Sequence, residues 1–223
     1  METLTFLIDV DNTLLANDEI KEQWNRHLEA DLGPQLTARF WDLYEKARAQ
    51  QEVVDIPLAL KWLRETTPLS ELDEQMYQHV VSIFEDYPFQ QALYPGTLET
   101  LRYLSALGTT VIVSDGDQFF QAQKIVQSGL ADAVNGRVLI YTHKQQELDE
   151  VLKLYPADHY AMIDDKPDIL ADSKEIMDSR LTTVFVEQGK YAQMQKPANF
   201  YPNITVEHIA DLMHYTKEQF LQA

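Results

Sequence analysis

Five short runs of aliphatic and β-branched residues punctuate the chain: residues 4–9, "TTVIVSD" at 109–115, "RVLIYTHK" at 137–144, "YAMIDD" at 160–165 and "LTTVFVE" at 181–187. None shows clean alternation of polar and apolar positions, which predicts strands covered on both faces. Amphipathic helical patterns separate the later runs, over 96–107, 119–128, 145–154 and 169–177, and another closes the chain over 206–221. Strand alternating with helix predicts an α/β fold built on a doubly wound parallel sheet.

Residues 17–92 break that alternation. "NDEIKEQWNRHLEADLG" is amphipathic, Pro34 opens "PQLTARFWDLYEKARAQ", "IPLALKWLRE" follows, and "SELDEQMYQHVVSIFEDY" starts with Ser70 and Asp73 at capping-box spacing. That is about four helices and no strand, and nearly eighty residues is long for a plain crossover between two strands. The segment reads as a helical module inserted in a core made of residues 1–16 and 93–223. No internal repeat or low-complexity stretch interrupts either part.

The polar residues that close the strands carry the chemistry. Asp9 and Asp11 follow the first run, Ser114, Asp115 and Asp117 the second, Lys144 the third, and Asp164, Asp165 and Asp168 the fourth. An open parallel sheet binds ligands outside the carboxyl ends of its strands. Residues two apart in a strand face the same way, so Asp9 and Asp11 are expected to share one crevice. Alone, each group reads as an ordinary turn, helix cap or surface lysine; together and in order they point to a site. Clustered carboxylates repel one another, and the usual remedy is a hard divalent cation such as Mg²⁺, which leaves positions open for water and phosphate oxygens. Lys144 and Ser114 then suit an anionic ligand.

The charge of the chain sharpens this. With 36 acids against 18 Lys plus Arg, the net charge of −18 disfavours nucleic acid and anionic membranes as partners. There is no cysteine, which excludes disulfides and thiolate chemistry. "METLTFLIDVDN" has no basic start or cleavage site, no apolar run spans a bilayer, and the acceptor pattern Asn203-Ile204-Thr205 therefore reads as coincidental. The expected location is the cytoplasm; monomer and homodimer both stay open.

The motifs resemble those of the haloacid dehalogenase-like hydrolase superfamily. "DVDNTLL" is similar to its first motif, Asp-x-Asp-x-Thr; "VIVSDGD" to its second; Lys144 to its third, without the proline that often follows; and "MIDDKPD" to its acidic fourth. "LYPGTLETLRYL" resembles the stretch that re-enters the core after a helical cap, in the branch whose cap lies between the first two motifs. The resemblance implies a Rossmann-like core and a cap at 17–92. It also implies a Mg²⁺-dependent phosphatase acting on a small phosphorylated metabolite through an aspartyl-phosphate. On that reading Asp9 is the nucleophile and Asp11 the general acid and base. Thr13, Ser114, Asp115, Gly116 and Lys144 hold the phosphoryl group. The metal sits on Asp9, the main-chain carbonyl of Asp11 and the fourth-motif acids, with Asp165 preferred as direct ligand, Asp164 behind it and Asp168 the weakest candidate.

Other readings stay in view. A phosphomutase uses the same core with a different cap. A dehalogenase lacks the acid that Asp11 supplies. A phosphonate hydrolase wants an amine from the cap, and Lys21, Lys46 and Lys61 are available. A receiver domain also groups acids, a hydroxyl and a lysine around Mg²⁺, but in a different order. A retired hydrolase acting as a phosphate-binding module need not keep the whole set.

Overall fold

The computed structural model describes residues 2–194 and 197–222. Among them, six strands form one parallel sheet: β1 (Leu4–Ile8), β2 (Thr109–Asp115), β3 (Val138–Tyr141), β4 (His159–Asp164), β5 (Leu181–Val186) and β6 (Ile204–Val206), in the spatial order β3-β2-β1-β4-β5-β6. Every residue of β1, β4 and β5 is buried, which explains the lack of alternation. Successive residues instead feed two different cores. Phe6 and Ile8 pack with Leu101, Leu104 and Ile112. Leu7 packs on the other face with Val111, Leu148, Val151, Met162 and Phe185. Helices α4 (Thr97–Leu107), α5 (Gln118–Gln127), α6 (Leu130–Ala133), α7 (Leu148–Leu154), α8 (Pro167–Met177) and α9 (Lys217–Gln222) cover the faces.

Strand β6 departs from the sequence reading, which placed a helix from residue 206. Its three residues are too few to show a period, but Ile204 and Val206 are buried where they pair with Val184 and Val186 of β5. The expected C-terminal helix is also two pieces, a 3₁₀ turn at Ile209–His214 and then α9. The break falls at Tyr215 and Thr216, where Gln219 Oε1 accepts from Thr216 N at 2.8 Å.

Residues 17–92 contribute α1 (Asn17–Gln51), α2 (Ile56–Thr66), α3 (Glu74–Glu85) and a 3₁₀ turn at Phe89–Ala92, and no strand of the sheet. Gly33 interrupts α1 with φ 75° and ψ 168°, a left-handed φ that glycine takes without a Cβ penalty. Pro34 then starts the second stretch, in which its missing N–H has no partner to lose. The cap of α3 is Asp73 rather than Ser70: its carboxylate accepts from Met76 N at 2.8 Å. Ser70 lies in a preceding turn closed by Leu72 N on Pro68 O.

The two crossings into this helical unit lie side by side. Ala16 N donates to Ala92 O at 2.9 Å and Tyr94 N to Leu14 O at 3.0 Å. An aromatic group fills the unit, with ring centroids 5.0 Å apart for Trp24 and Phe84 and 5.1 Å for Phe40 and Phe84. Trp24 also meets Phe120 of α5 at 6.0 Å, so one apolar cluster runs from the helical unit into the α/β core. No described helix is long and apolar enough to cross a membrane.

Candidate active site

The strand order reverses across β1: its neighbours β2 and β4 lead to opposite edges of the sheet. Such a switch point leaves a crevice at the strand ends. Strand β1 ends at Ile8, and Asp9 N extends the ladder by donating to Ile163 O at 2.9 Å. This brings Asp9 beside Asp164 and Asp165 at the end of β4, and all three are buried. Lys144, in a 3₁₀ turn after β3, reaches between them. Its ammonium donates to Asp9 Oδ1 and lies 2.6 Å from Asp164 Oδ2. Burial would strip Lys144 of its proton, but the Asp164 and Asp9 charges reverse this and hold its pKa above the ordinary lysine value.

Of the other oxygens of this cluster, only one takes a hydrogen bond. Asp164 Oδ1 accepts from Lys166 N at 2.8 Å. Asp9 Oδ2 and both oxygens of Asp165 are buried without a hydrogen-bond partner. The three carboxylates each offer an oxygen within 4.8 Å of the others. Burial, and then the charges of Asp164 and Asp9, push Asp165 up to about 9; burial likewise raises Asp9, against the pull of Lys144. An all-oxygen donor set with unsatisfied buried lone pairs and an excess of negative charge fits Mg²⁺. Asp168, by contrast, is exposed in the first turn of α8.

The second strand end is braced from behind. Ser114 Oγ accepts from Gln121 Nε2 of α5 at 2.9 Å. Its own proton faces only a distant carbonyl, that of Asp115 at 3.5 Å, so it remains free to donate to a ligand. Asp115 Oδ1 accepts from Lys144 N at 2.8 Å, which ties the second strand end to the third, and Oδ2 lies 3.9 Å from Lys166 Nζ. Gly116 N donates to Tyr141 O. Thr13 is buried with its hydroxyl unpartnered, while its carbonyl accepts from Gln188 Nε2 at 3.1 Å.

Asp11 stands apart from the carboxylate cluster. Both of its oxygens accept from Lys124 Nζ, at 2.8 and 3.1 Å, and Asn17 Oδ1 accepts from the same ammonium at 3.3 Å. Burial pushes the Asp11 carboxyl up, but Lys124 outweighs it and holds the pKa below the usual carboxylate range. Strand periodicity predicted a shared crevice for Asp9 and Asp11; the strand stops short of both, and the following loop turns them to different lysines.

Sequence reasoning passed over three of these residues. Lys124 and Gln121 lie on the buried face of α5 with Phe120 and Ile125, and a lysine at i+4 from an apolar anchor was the available signal. Lys166 stands inside "MIDDKPD" itself. The Asp9 and Asp164 charges overcome its burial and raise its pKa.

A cavity of about 340 Å³ separates the helical unit from the sheet edge. Asp11, Asp115, Gly116, Gln121, Lys124 and Lys166 line it from the core. Asp9, Thr13, Ser114, Lys144, Asp164 and Asp165 are buried and do not reach its wall. Of the three cap lysines, Lys21 lines the cavity. Lys46 stacks over the Trp62 ring at 5.1 Å, and Lys61 pairs with Glu65 on the surface.

A Rossmann-like order of parallel strands, with carboxylates and a lysine converging at the switch point and helices inserted after the first strand, defines an α/β protein with a candidate catalytic site beside a helical unit. The family model for haloacid dehalogenase-like hydrolases matches residues 3–171, and the chain belongs to that family. The solved structure of a haloacid dehalogenase-like hydrolase from Burkholderia xenovorans is similar over 98% of this chain and 99% of that one, at 43% identity and a TM-score of 0.87. Two more distant structures share the fold. One is an L-2-haloacid dehalogenase from Xanthobacter autotrophicus with chloropropionic acid covalently bound (14% identity, 96% and 98% covered, TM-score 0.63). The other is the hydrolase YfnB from Bacillus subtilis bound to magnesium (15% identity, all of both chains covered, TM-score 0.64). A search of curated proteins gave no match.

Proposed function

We infer that the chain is a Mg²⁺-dependent phosphatase that hydrolyses a small phosphate monoester through an aspartyl-phosphate on Asp9. The charge of the buried site carries this reading. With every carboxylate ionised, the state a bound cation favours over the raised pKa of Asp165, Asp9, Asp164, Asp165 and Asp115 face Lys144 and Lys166 and leave a formal charge of −2; Asp11 and Lys124 cancel. One divalent cation neutralises the remainder.

The residues divide the work as follows. Asp9 attacks phosphorus through a carboxylate oxygen as the bond to the leaving oxygen breaks; Asp11, ionised beside Lys124 in the resting site, takes up a proton when the phosphate's negative charge enters beside it and passes that proton to the leaving oxygen. Asp11 then takes a proton from water, which attacks the phosphorus, releases phosphate and restores the Asp9 carboxylate. Ser114 donates to a phosphoryl oxygen while Gln121 fixes its rotamer, and Lys144 stabilises charge that develops in transfer. Mg²⁺, held by Asp9, the Asp11 main-chain carbonyl and Asp165, would supply the positive charge that lets a carboxylate approach a phosphate dianion. Because Asp9 is buried, the helical unit must swing away to admit substrate, and the paired crossings at Ala16 and Tyr94 suit a hinge. As part of this reading the protein works in the cytoplasm on a small phosphorylated metabolite, and its −18 charge disfavours nucleic acid and anionic membranes.

A second reading, dehalogenation, has the fold in common with the Xanthobacter enzyme, but it gives Asp11 and the cation-hungry acids no task. The discriminating experiment is hydrolysis of an aryl phosphate with Mg²⁺ and in chelator, combined with phosphate labelling. Turnover should vanish in chelator and in Asp9→Asn. Asp11→Asn should accumulate labelled phosphate with a good leaving group, and Asp9→Asn should not. Equal turnover with and without chelator, or label on Asp9→Asn, would refute the assignment.

A further inference from the structure

The half of the cavity supplied by the helical unit has features that phosphoryl transfer leaves unexplained. Lys21 and Trp24 are one turn apart in the first stretch of α1, and Tyr44 and Arg48 one turn apart in the second. The reversal at Gly33 folds the two stretches together, with Lys21 Nζ 5.1 Å from the centre of the Tyr44 ring. All four line the cavity.

Trp24 is 1% exposed and Tyr44 2% exposed, yet neither Trp24 Nε1 nor the Tyr44 hydroxyl has a hydrogen-bond partner. A buried donor left without a partner forfeits the hydrogen bond that water gives it in the unfolded chain. Both donors belong to a cavity wall, where a ligand oxygen can satisfy them. Lys21 is half-buried, and among the described residues no carboxylate lies within ion-pair distance of its ammonium. Burial, and then Lys190, depress its pKa, with Lys124 and Arg48 adding to the repulsion. The nearby acid, Asp11, is already neutralised by Lys124. The other acids that line the cavity are also engaged. Asp18 accepts from Lys190 N, Glu52 faces His143 at 3.1 Å, Asp117 caps α5, and Asp115 holds Lys144 N. Arg48 meets Glu45 at 3.5 Å in an exposed pair, which is weak and readily exchanged. In a chain of net charge −18, two cations and two bare donors gather on one wall of the cavity, and the contacts of the cations, Lys21 over the Tyr44 ring and Arg48 with Glu45, leave the donors of all four able to reach a ligand.

We propose that Lys21, Arg48, Tyr44 and Trp24 bind a second anionic oxygen group on the leaving side of the substrate, so that the enzyme acts on small phosphorylated acids. The anion, a carboxylate or a second phosphate, takes charge from Lys21 and Arg48 and hydrogen bonds from the Tyr44 O–H and Trp24 N–H. The cavity, about 340 Å³, is at the small end of ligand sites and limits the leaving group to a few carbons. This proposal rests on the phosphatase reading, since it places the phosphate on the core side.

The test compares three esters of similar size: ethyl phosphate, whose leaving group is neutral; 2-phosphoglycolate, with a carboxylate; and ethylene glycol bisphosphate, with a second phosphate. Wild type should favour at least one of the anionic esters over ethyl phosphate by tenfold or more in kcat/KM, and the better of the two identifies the anion. Lys21→Met and Tyr44→Phe should shrink that ratio at least fivefold. Lys21→Arg should keep most of it, and Lys61→Met on the cap surface should keep all of it. The same ratio should appear in Kd when Asp9→Asn protein is titrated calorimetrically with the three esters, which requires no turnover. Equal kcat/KM for charged and neutral esters, or equal losses on both in Lys21→Met, would overturn the proposal. If no ester turns over, the phosphatase reading fails, and equal Kd values on Asp9→Asn would then overturn the anion site separately.

Discussion

The ammonium of Lys124 lies 2.8 Å from Asp11 Oδ1 and 3.1 Å from Oδ2, so a helix of the core clamps the carboxylate assigned to proton transfer. The lysine side chain is 4% exposed and the Asp11 side chain 26%. Asp11 therefore keeps one edge on the cavity while Lys124 fixes its orientation. Lys124→Met should lower kcat for an aryl phosphate by tenfold or more, because a mis-set carboxylate transfers protons poorly. Lys124→Arg should recover part of it. In a double-mutant cycle with Asp11→Asn the losses should fall well short of additive, since the two residues act as a unit. Full additivity in steady-state kinetics would show that they do not.

The uncommitted oxygens of Asp165 predict opposite effects with and without metal. Without metal, its carboxylate is pushed up to about 9 by burial and by Asp164 and Asp9, so Asp165→Asn should raise the melting temperature. With Mg²⁺ at a hundredfold over Kd, wild type should gain about 2.7 kcal/mol by linkage, and Asp165→Asn should lose most of that gain. Asp168→Asn, exposed on α8, should leave both measurements unchanged. Thermal melts of the three proteins with and without Mg²⁺ check this, and the reverse ranking would reassign the ligand.

Gly189 approaches the first motif from the far end of the chain. It has φ 66°, and a Cβ built on it would sit 2.6 Å from Asn12 Cβ. Asn12 itself has φ 60° and accepts from Asp18 N at 3.1 Å, so the turn that carries Asp11 has little freedom to yield. Gly189→Ala should cost about 1–3 kcal/mol from backbone strain and lower kcat by displacing the turn. Urea unfolding and steady-state kinetics on the same protein check both halves.

His159 predicts a pH dependence of folding. Its Nε2–H donates to Thr182 Oγ1 at 2.9 Å, since the Thr182 hydroxyl proton is directed at Phe220 O, 2.7 Å away. Burial, only partly offset by Glu2, depresses its pKa below the ordinary value near 6.5. The unfolded chain therefore binds a proton that the folded chain refuses. This stability is complete above about 6.5 and is lost as pH falls from there through the depressed folded value. His159→Gln should flatten that part of the profile. Urea midpoints compared at pH 7.5 and pH 5 should fall more steeply for wild type than for the variant.

Sequence alone was sufficient for the elements whose signal is local. Buried strands advertise themselves as aliphatic runs, and β2 has the bounds that "TTVIVSD" implied. Pro34 and Gly33 marked the reversal in α1 because their backbone limits are intrinsic to the residue. The acids at strand ends were legible because a parallel sheet delivers all its carboxyl ends to one edge. Tertiary structure decided what depends on partners distant in sequence. Strand β6 has three residues and exists because β5 offers it an edge. Asp165 differs from Asp164 because Lys144 and Lys166 N engage only the latter. Asp11 meets Lys124 across 113 residues of sequence, and the donors of Trp24 and Tyr44 are orphaned by packing. Periodicity assigns a face to a side chain, but which charge or void that face meets is set by elements far along the chain.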